Sequence, residues 1–317
     1  MKIVICFILF LPLLVLGQEY DNKPIMAEGE IPQDFLVLSS QIHAQDHSAV
    51  DNTDKRFERK AKEKFVEQNS YSLRDLLFSG NVIFNDPITK YINMVAEKAF
   101  EKKPELRKKL RFYTMKSSQV NAFATHNGVI FVTTGLISQL ETEAQLAMVL
   151  CHEAVHFKNK HSITKYVETQ EIIHSKGEYK TLSNDSKLLQ HYKYSKDLET
   201  QADSEGLDIF LTSEYSTEGL DNLFDILKYA HLPYDLVPFD KDFFETEHFK
   251  FPEEYFLPED EIASISTEER DDEESTHPNA EIRKDKILNK LEKKSSTSNQ
   301  QYIVGKAEFE TIRQLCR

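Results

Sequence analysis

The sequence predicts an α+β domain, mainly helical, with a small antiparallel sheet beside one buried helix. Three observations carry that reading. Apolar residues recur at helical spacing at Ile88, Ile92, Val95, Ala96 and Phe100. Short runs rich in aromatic and β-branched residues cluster between Arg111 and Thr134. Finally, "MVLCHEAVHF", Met148 to Phe157, sets two histidines and a glutamate inside an apolar run. At 317 residues, 40% hydrophobic and 29% charged, the chain has room for one large domain or two ordinary ones, with a core that needs no disulfide staples. The formal charge of -14 argues against nucleic acid or an anionic membrane surface as the main partner, since both demand a basic patch.

The first residues differ from all that follow. Lys2 precedes an apolar stretch from Ile3 to Leu16, and Gly17 with Val15 two before it makes a cleavage site. Residues 1–17 therefore read as a secretory signal, with an uncleaved anchor as the alternative. No later stretch is apolar for long enough to span a bilayer, so no transmembrane segment is expected after signal removal. Cys151 and Cys316 then read as two structural thiols. Residues 18–71 are polar, with a charged helix in "DKRFERKAKEKFVEQNS", and suit either a packing arm or a removable pro-segment.

Asp86 and Pro87 stand in cap and first-turn positions for the helix over Ile88 to Phe100. "RFYTM", "QVNAFA" and "VIFVTT" then make three antiparallel strands, the last two joined by a hairpin at Asn127-Gly128. Thr142 and Gln145 have capping-box spacing, so the helix carrying the histidines starts there and runs to about Lys160. A second helix spans about Lys196 to Leu211. An aromatic and then acidic stretch follows, whose part from Glu259 to Glu274 reads as a solvated loop or a gate. Pro278 opens another helix, and residues 295–317 read as a low-complexity linker and an amphipathic helix.

Four residues of helix turn through about 400°, which leaves His152 and His156 on one face. Unpartnered imidazoles in a buried helix cost stability, and zinc is the natural partner: borderline-soft, redox-inert and matched to imidazole nitrogen. A catalytic zinc needs three protein ligands and an open position. A pattern of the form HExxHxxGxxH fails here, because positions 159 and 162 are Asn159 and Ser162. "LETQADSEGLDIF" supplies the third ligand instead. Glu199 and Asp203 are also four apart on one helical face; Glu199 can ligate, and Asp203 can hold the far nitrogen of a ligand histidine. His161 lies nine after His152, about 180° away around the helix, and should not reach the same ion, while His126 beside the turn reads as an exposed loop residue.

HExxH followed by "ETQAD", and preceded by "NAFATHNGVIFVTTGL", resembles the HtpX-like and CaaX-prenyl-protease family of gluzincin zinc metallopeptidases, metallopeptidase family forty-eight. The similarity covers about residues 75 to 290. It includes "HEAVHFKNKH", with His161 where soluble bacterial members often carry a histidine, and "THPNAEIR", similar to the family's late His and Arg pair. The lack of transmembrane helices resembles the exported, soluble bacterial branch. The resemblance implies a zincin-like fold and a metallopeptidase domain over residues 72–294. It implies one Zn2+ per subunit on His152, His156 and Glu199, Asp203 behind a ligand histidine, and Glu153 as general base. His277 and Arg283 become candidates to meet the oxyanion, with capping of the resting zinc as another role for His277. Asn121, Ala122 and Phe123 become substrate contacts on a strand beside the cleft.

The expectation is a zinc-dependent metalloendopeptidase that hydrolyses polypeptide substrates, unfolded or misassembled proteins, in the periplasm or cell envelope, with secretion as second choice. The alternative is a chaperone-like or scaffold protein that binds clients in the same cleft with little hydrolysis.

Overall fold

The computed structural model describes residues 25–40, 55–230, 240–256, 279–293 and 298–317; residues 1–17, expected to be a signal, and the stretch Glu259 to Glu274 lie outside them. Two helices, α1 (Gln33–Ser40) and α2 (Arg56–Phe78), precede a short strand β1 (Val82–Ile83). Then come α3 (Pro87–Ala99), α4 (Pro104–Arg107), β2 (Arg111–Met115), β3 (Ala122–Ala124) and β4 (Val129–Thr133). The remainder is helical: α5 (Thr134–Gln139), α6 (Glu143–Lys158), α7 (His161–Ile173), α8 (Asn184–Phe210), α9 (Leu220–Lys228), α10 (Lys241–Phe244), α11 (Ala280–Lys293) and α12 (Lys306–Leu315). Among the described residues no helix is long and apolar enough to cross a membrane.

Local signals act where the sequence places them. Asp86 Oδ1 accepts from the Ile88 and Thr89 amides, both at 2.9 Å, and Pro87 opens α3. Thr142 and Gln145 form a capping box at the start of α6. Gly128, at φ 84°, makes the β3–β4 turn, and a Cβ there would run into the Lys109 carbonyl. Both longer helices outrun their expected starts or ends: the charged helix extends to Phe78, and α8 begins at Asn184 rather than near Lys196.

The sheet corrects one expectation. It has four strands in the order β1-β2-β4-β3, and its central pair, β2 and β4, is parallel, so the sheet is mixed rather than antiparallel. β1–β2 and β3–β4 are antiparallel. The reason lies in β4, whose residues Val129 to Thr133 are all buried. A strand apolar on both faces belongs in the middle of a sheet, whereas half-buried β3 is suited to the edge. Alternation then divides the side chains between two cores. Phe112, Ile130 and Val132 join the main core with α3, α5, α6 and α8, while Tyr113, Val129 and Phe131 pack with Phe35, Leu73 and Leu77 of the N-terminal helices.

The start of α6 is held by a buried carboxylate. Glu143 is fully buried. It accepts hydrogen bonds from Tyr91 Oη at 2.6 Å, Tyr215 Oη at 2.5 Å, and the amides of Ile303, Val304 and Gly305 at 3.0, 2.8 and 3.1 Å. Its position in the first turn also favours negative charge. Burial, with the neighbouring Glu143, pushes both tyrosine hydroxyls far above the usual phenol range, so they remain donors. The C-terminal segment is thereby tied to α6, and Phe309 and Ile312 of α12 enter the main core. Glu143→Gln keeps the volume but turns an amide N–H toward groups that donate. We expect a loss of roughly 3 kcal/mol, read from the midpoint of denaturant unfolding at unchanged slope.

Candidate metal centre

α6 and α8 cross at their backbones. The contact is possible because position 206 is glycine: a Cβ there would lie 3.0 Å from His152 Cα and 3.1 Å from its nitrogen. Ala154, Ala202 and Leu207 around the crossing are fully buried. The facing side chains therefore meet within one small volume. His152 Nε2 and His156 Nε2 are 3.0 Å apart, and Glu199 places one carboxylate oxygen 3.5 Å from the first and the other 3.6 Å from the second.

The far nitrogens are engaged as well. His152 Nδ1 lies 2.9 Å from Asp203 Oδ1. An ionised carboxylate only accepts, so Nδ1 carries a proton, and Nε2 is the nitrogen turned toward His156 and Glu199. Asp203 is itself gripped by Arg283, whose Nε and Nη2 each donate at 2.7 Å. Burial opposes the Asp203 charge, but Arg283 and His152 hold its carboxyl below the usual range. Arg283 Nη2 also lies 3.8 Å from Glu199, and the guanidinium stands over the Phe224 ring of α9. Lys290, on the same helix as Arg283, reaches Asp208 at 2.8 Å and so ties α11 to α8.

The charge pattern suits one cation. Burial works against charge on His152, yet the hydrogen bonds to Asp203 and Glu199 outweigh it and lift its pKa to about 10. Burial and the charged His152 beside it push His156 down to about 3. The surroundings thus favour one positive charge where two imidazole nitrogens and a carboxylate oxygen lie within 4.8 Å of one another, and these three residues form the candidate metal group among the described residues. Zinc bonded to nitrogen at about 2.0–2.1 Å in tetrahedral geometry sets ligand atoms roughly 3.3 Å apart, so the donor set fits that ion.

Glu153 is buried beside this group. Burial, with Glu199 nearby, raises its pKa to about 7 against the opposing influence of His152, the Ala124 main chain and Arg283. The Ala124 main chain hydrogen-bonds the carboxylate, which puts strand β3 next to Glu153. Asn121 is anchored in the sheet by its carbonyl, which accepts from the Thr133 amide at 3.1 Å. Ala122 and Phe123 are half-buried in β3, and the Phe123 ring packs 5.1 Å from that of Phe131. His277 lies outside the described residues.

Two histidines have surroundings that the sequence does not show, although His161, as expected, stands outside the candidate metal group. His126 is half-buried, its ring 5.5 Å from Phe65 of α2, because the charged helix lies over the β3–β4 turn. His161 is buried and belongs to a separate helix. The chain breaks at Asn159 and at Lys160, which takes φ 57°, and this turn brings His161 Nδ1 to 3.1 Å from His156 Nδ1. The spacing of the histidines was visible, but the break between them carried no glycine to mark it.

The sequence pattern of peptidase family M48 matches residues 87–290, which contain every residue of this centre. The chain belongs to peptidase family M48. It is a metallopeptidase of a family that binds zinc, with His152, His156 and Glu199 as its candidate metal site. This M48 peptidase is also similar to the beta-barrel assembly-enhancing proteases of Yersinia pestis and Escherichia coli (strain K12), 28% identical over 107 residues in each case. A putative beta-barrel assembly-enhancing protease of Vibrio cholerae is 25% identical over 87 residues. These matches cover 34%, 33% and 27% of the chain and 22%, 22% and 18% of the relatives, about a fifth of their length.

Gly206→Ala tests the crossing. The atoms that would meet the new methyl are helix backbone and cannot swing aside, so we expect a loss of about 1–3 kcal/mol in thermal unfolding. A lowered zinc affinity should accompany it, since the ligands come from both helices.

Proposed function

We propose that this M48 peptidase is a zinc-dependent endopeptidase that cleaves unfolded or misassembled proteins in the cell envelope, in the periplasm. The convergence of His152, His156 and Glu199 beside a buried Glu153 carries the reading. When bound, zinc supplies Lewis acidity, which makes water a usable nucleophile at neutral pH and polarises the scissile carbonyl.

The chain's own groups do the rest. Glu153, with a pKa of about 7, takes a proton from water as its oxygen attacks the carbonyl carbon. It passes that proton to the departing amine nitrogen as the C–N bond breaks. Asp203 holds His152 in the required tautomer, and Arg283 enters the proposal as the brace of Asp203, because two of its nitrogens donate there. His277 remains the proposed partner of the oxyanion.

Strand β3 supports an extended substrate. It is the last strand of the sheet. The main chains of Asn121 and Thr125 bond inward to β4, at Thr133 and Val129 respectively. By alternation the main-chain groups of Ala122 and Ala124 face outward, on the side where Ala124 meets Glu153. A polypeptide added to that edge would lie beside the general base, held by main-chain bonds that read little sequence. A locally unfolded, extended segment is free to add a strand in this way. The signal-like residues 1–17 and the likeness to beta-barrel assembly-enhancing proteases support the envelope assignment.

Glu153→Gln separates the enzyme from a scaffold that binds clients in the same cleft. We expect zinc content to stay near one per chain while casein hydrolysis falls about 10²- to 10⁴-fold. A wild-type protein that binds casein without cutting it favours the scaffold. Dialysis against a chelator should abolish hydrolysis, and added zinc should restore it without refolding, as followed by far-UV circular dichroism.

A further inference from the structure

The two candidate ligand histidines are held from behind in different ways. His152 meets a carboxylate directly, whereas the far nitrogen of His156 faces another imidazole. From that imidazole a line of side chains runs to the surface. His161 Nε2 lies 3.2 Å from Gln201 Oε1, and Gln201 Nε2 donates to Glu205 Oε1 at 2.7 Å. Glu205 is fixed in turn by Lys158 Nζ at 2.8 Å and Asn159 Nδ2 at 3.0 Å, both at the end of α6.

The direction of this line is forced by its last member. Glu205 can only accept, so Gln201 presents its amide nitrogen to it and its carbonyl oxygen to His161. That oxygen also only accepts, so the His161 proton is on Nε2. A neutral imidazole with its proton there carries a lone pair on Nδ1, which accepts from His156 Nδ1–H at 3.1 Å. His156 is left with its Nε2 lone pair facing His152 and Glu199. We propose that His161, Gln201 and Glu205 form a positioning relay that selects the metal-binding tautomer of His156 from a carboxylate at the protein surface.

The relay depends on a local backbone feature. If α6 continued unbroken, His161 would sit about 180° from His152. The left-handed turn at Lys160 starts α7 in a new direction and returns His161 toward α6. Gln201 and Glu205 are four apart on α8, as Glu199 and Asp203 are, so one helix supplies both supports.

The inference rests on the reading of His152, His156 and Glu199 as zinc ligands. The test measures zinc affinity of the full chain by competition with a chromophoric chelator, alongside thermal unfolding of the metal-free protein. His161→Leu should weaken zinc binding by about 10- to 100-fold. His161→Asn, which restores an acceptor toward His156, should recover most of that loss. Gln201 has an exposed side chain, so Gln201→Met should weaken binding several-fold with an unchanged unfolding midpoint. His161→Leu and Gln201→Met both within about twofold of wild type would overturn the relay; if His161→Leu does not fold, the same result for Gln201→Met alone does so. Wild-type protein that takes up no zinc overturns the ligand reading and the relay together, whereas tight wild-type binding with indifferent variants overturns the relay alone.

Discussion

The close crossing of α6 and α8 is the constraint on which the rest depends. Neither helix carries a complete set of ligands. α6 supplies two imidazoles and the buried Glu153; α8 supplies Glu199 and, one turn later, Asp203. Side chains this short meet only if the backbones come nearer than ordinary packing allows, and Gly206 against His152 makes that possible. The same crossing lies in the main core, with Ala154, Ala202 and Leu207 fully buried. Metal-site geometry and core packing are therefore one property of the molecule, and the sheet, α3 and α12 influence the centre by fixing α6.

Much of this was legible because the responsible signals are local. Asp86-Pro87, the Thr142–Gln145 box and Asn127-Gly128 act within a few residues of themselves, and each appears in the structure at its expected place. The i, i+4 pairs of α6 and α8 were readable for the same reason. Features set by tertiary context were not. β1 has two residues, too few to show a period, and the parallel pairing of β2 with β4 depends on both faces of β4 being covered. The break at Lys160 was hidden because a lysine, not a glycine or asparagine, takes the left-handed conformation. That turn returns His161 toward α6, where it meets His156 from behind and, as its spacing suggests, stays outside the candidate metal group.

Two buried glutamates on α6, ten residues apart, show how environment sets similar side chains apart, one as an anchor and the other, in the proposed mechanism, as general base. Glu143 lies at the helix start, where two tyrosine hydroxyls and three main-chain amides all donate to its carboxylate. Its oxygens are directed at protein donors, which suits an anchor. Glu153 lies well inside the helix, beyond the reach of the N-terminal dipole, and is near enough to Glu199 to feel its charge. Burial and that second carboxylate raise its pKa to about 7, against the opposing pull of His152, the Ala124 main chain and Arg283. A carboxylate so placed holds its proton weakly enough to give it up and its charge weakly enough to accept one, which is what moving a proton between water and an amine requires. The two residues share a helix and a degree of burial, and the number of donors turned toward each sets them apart.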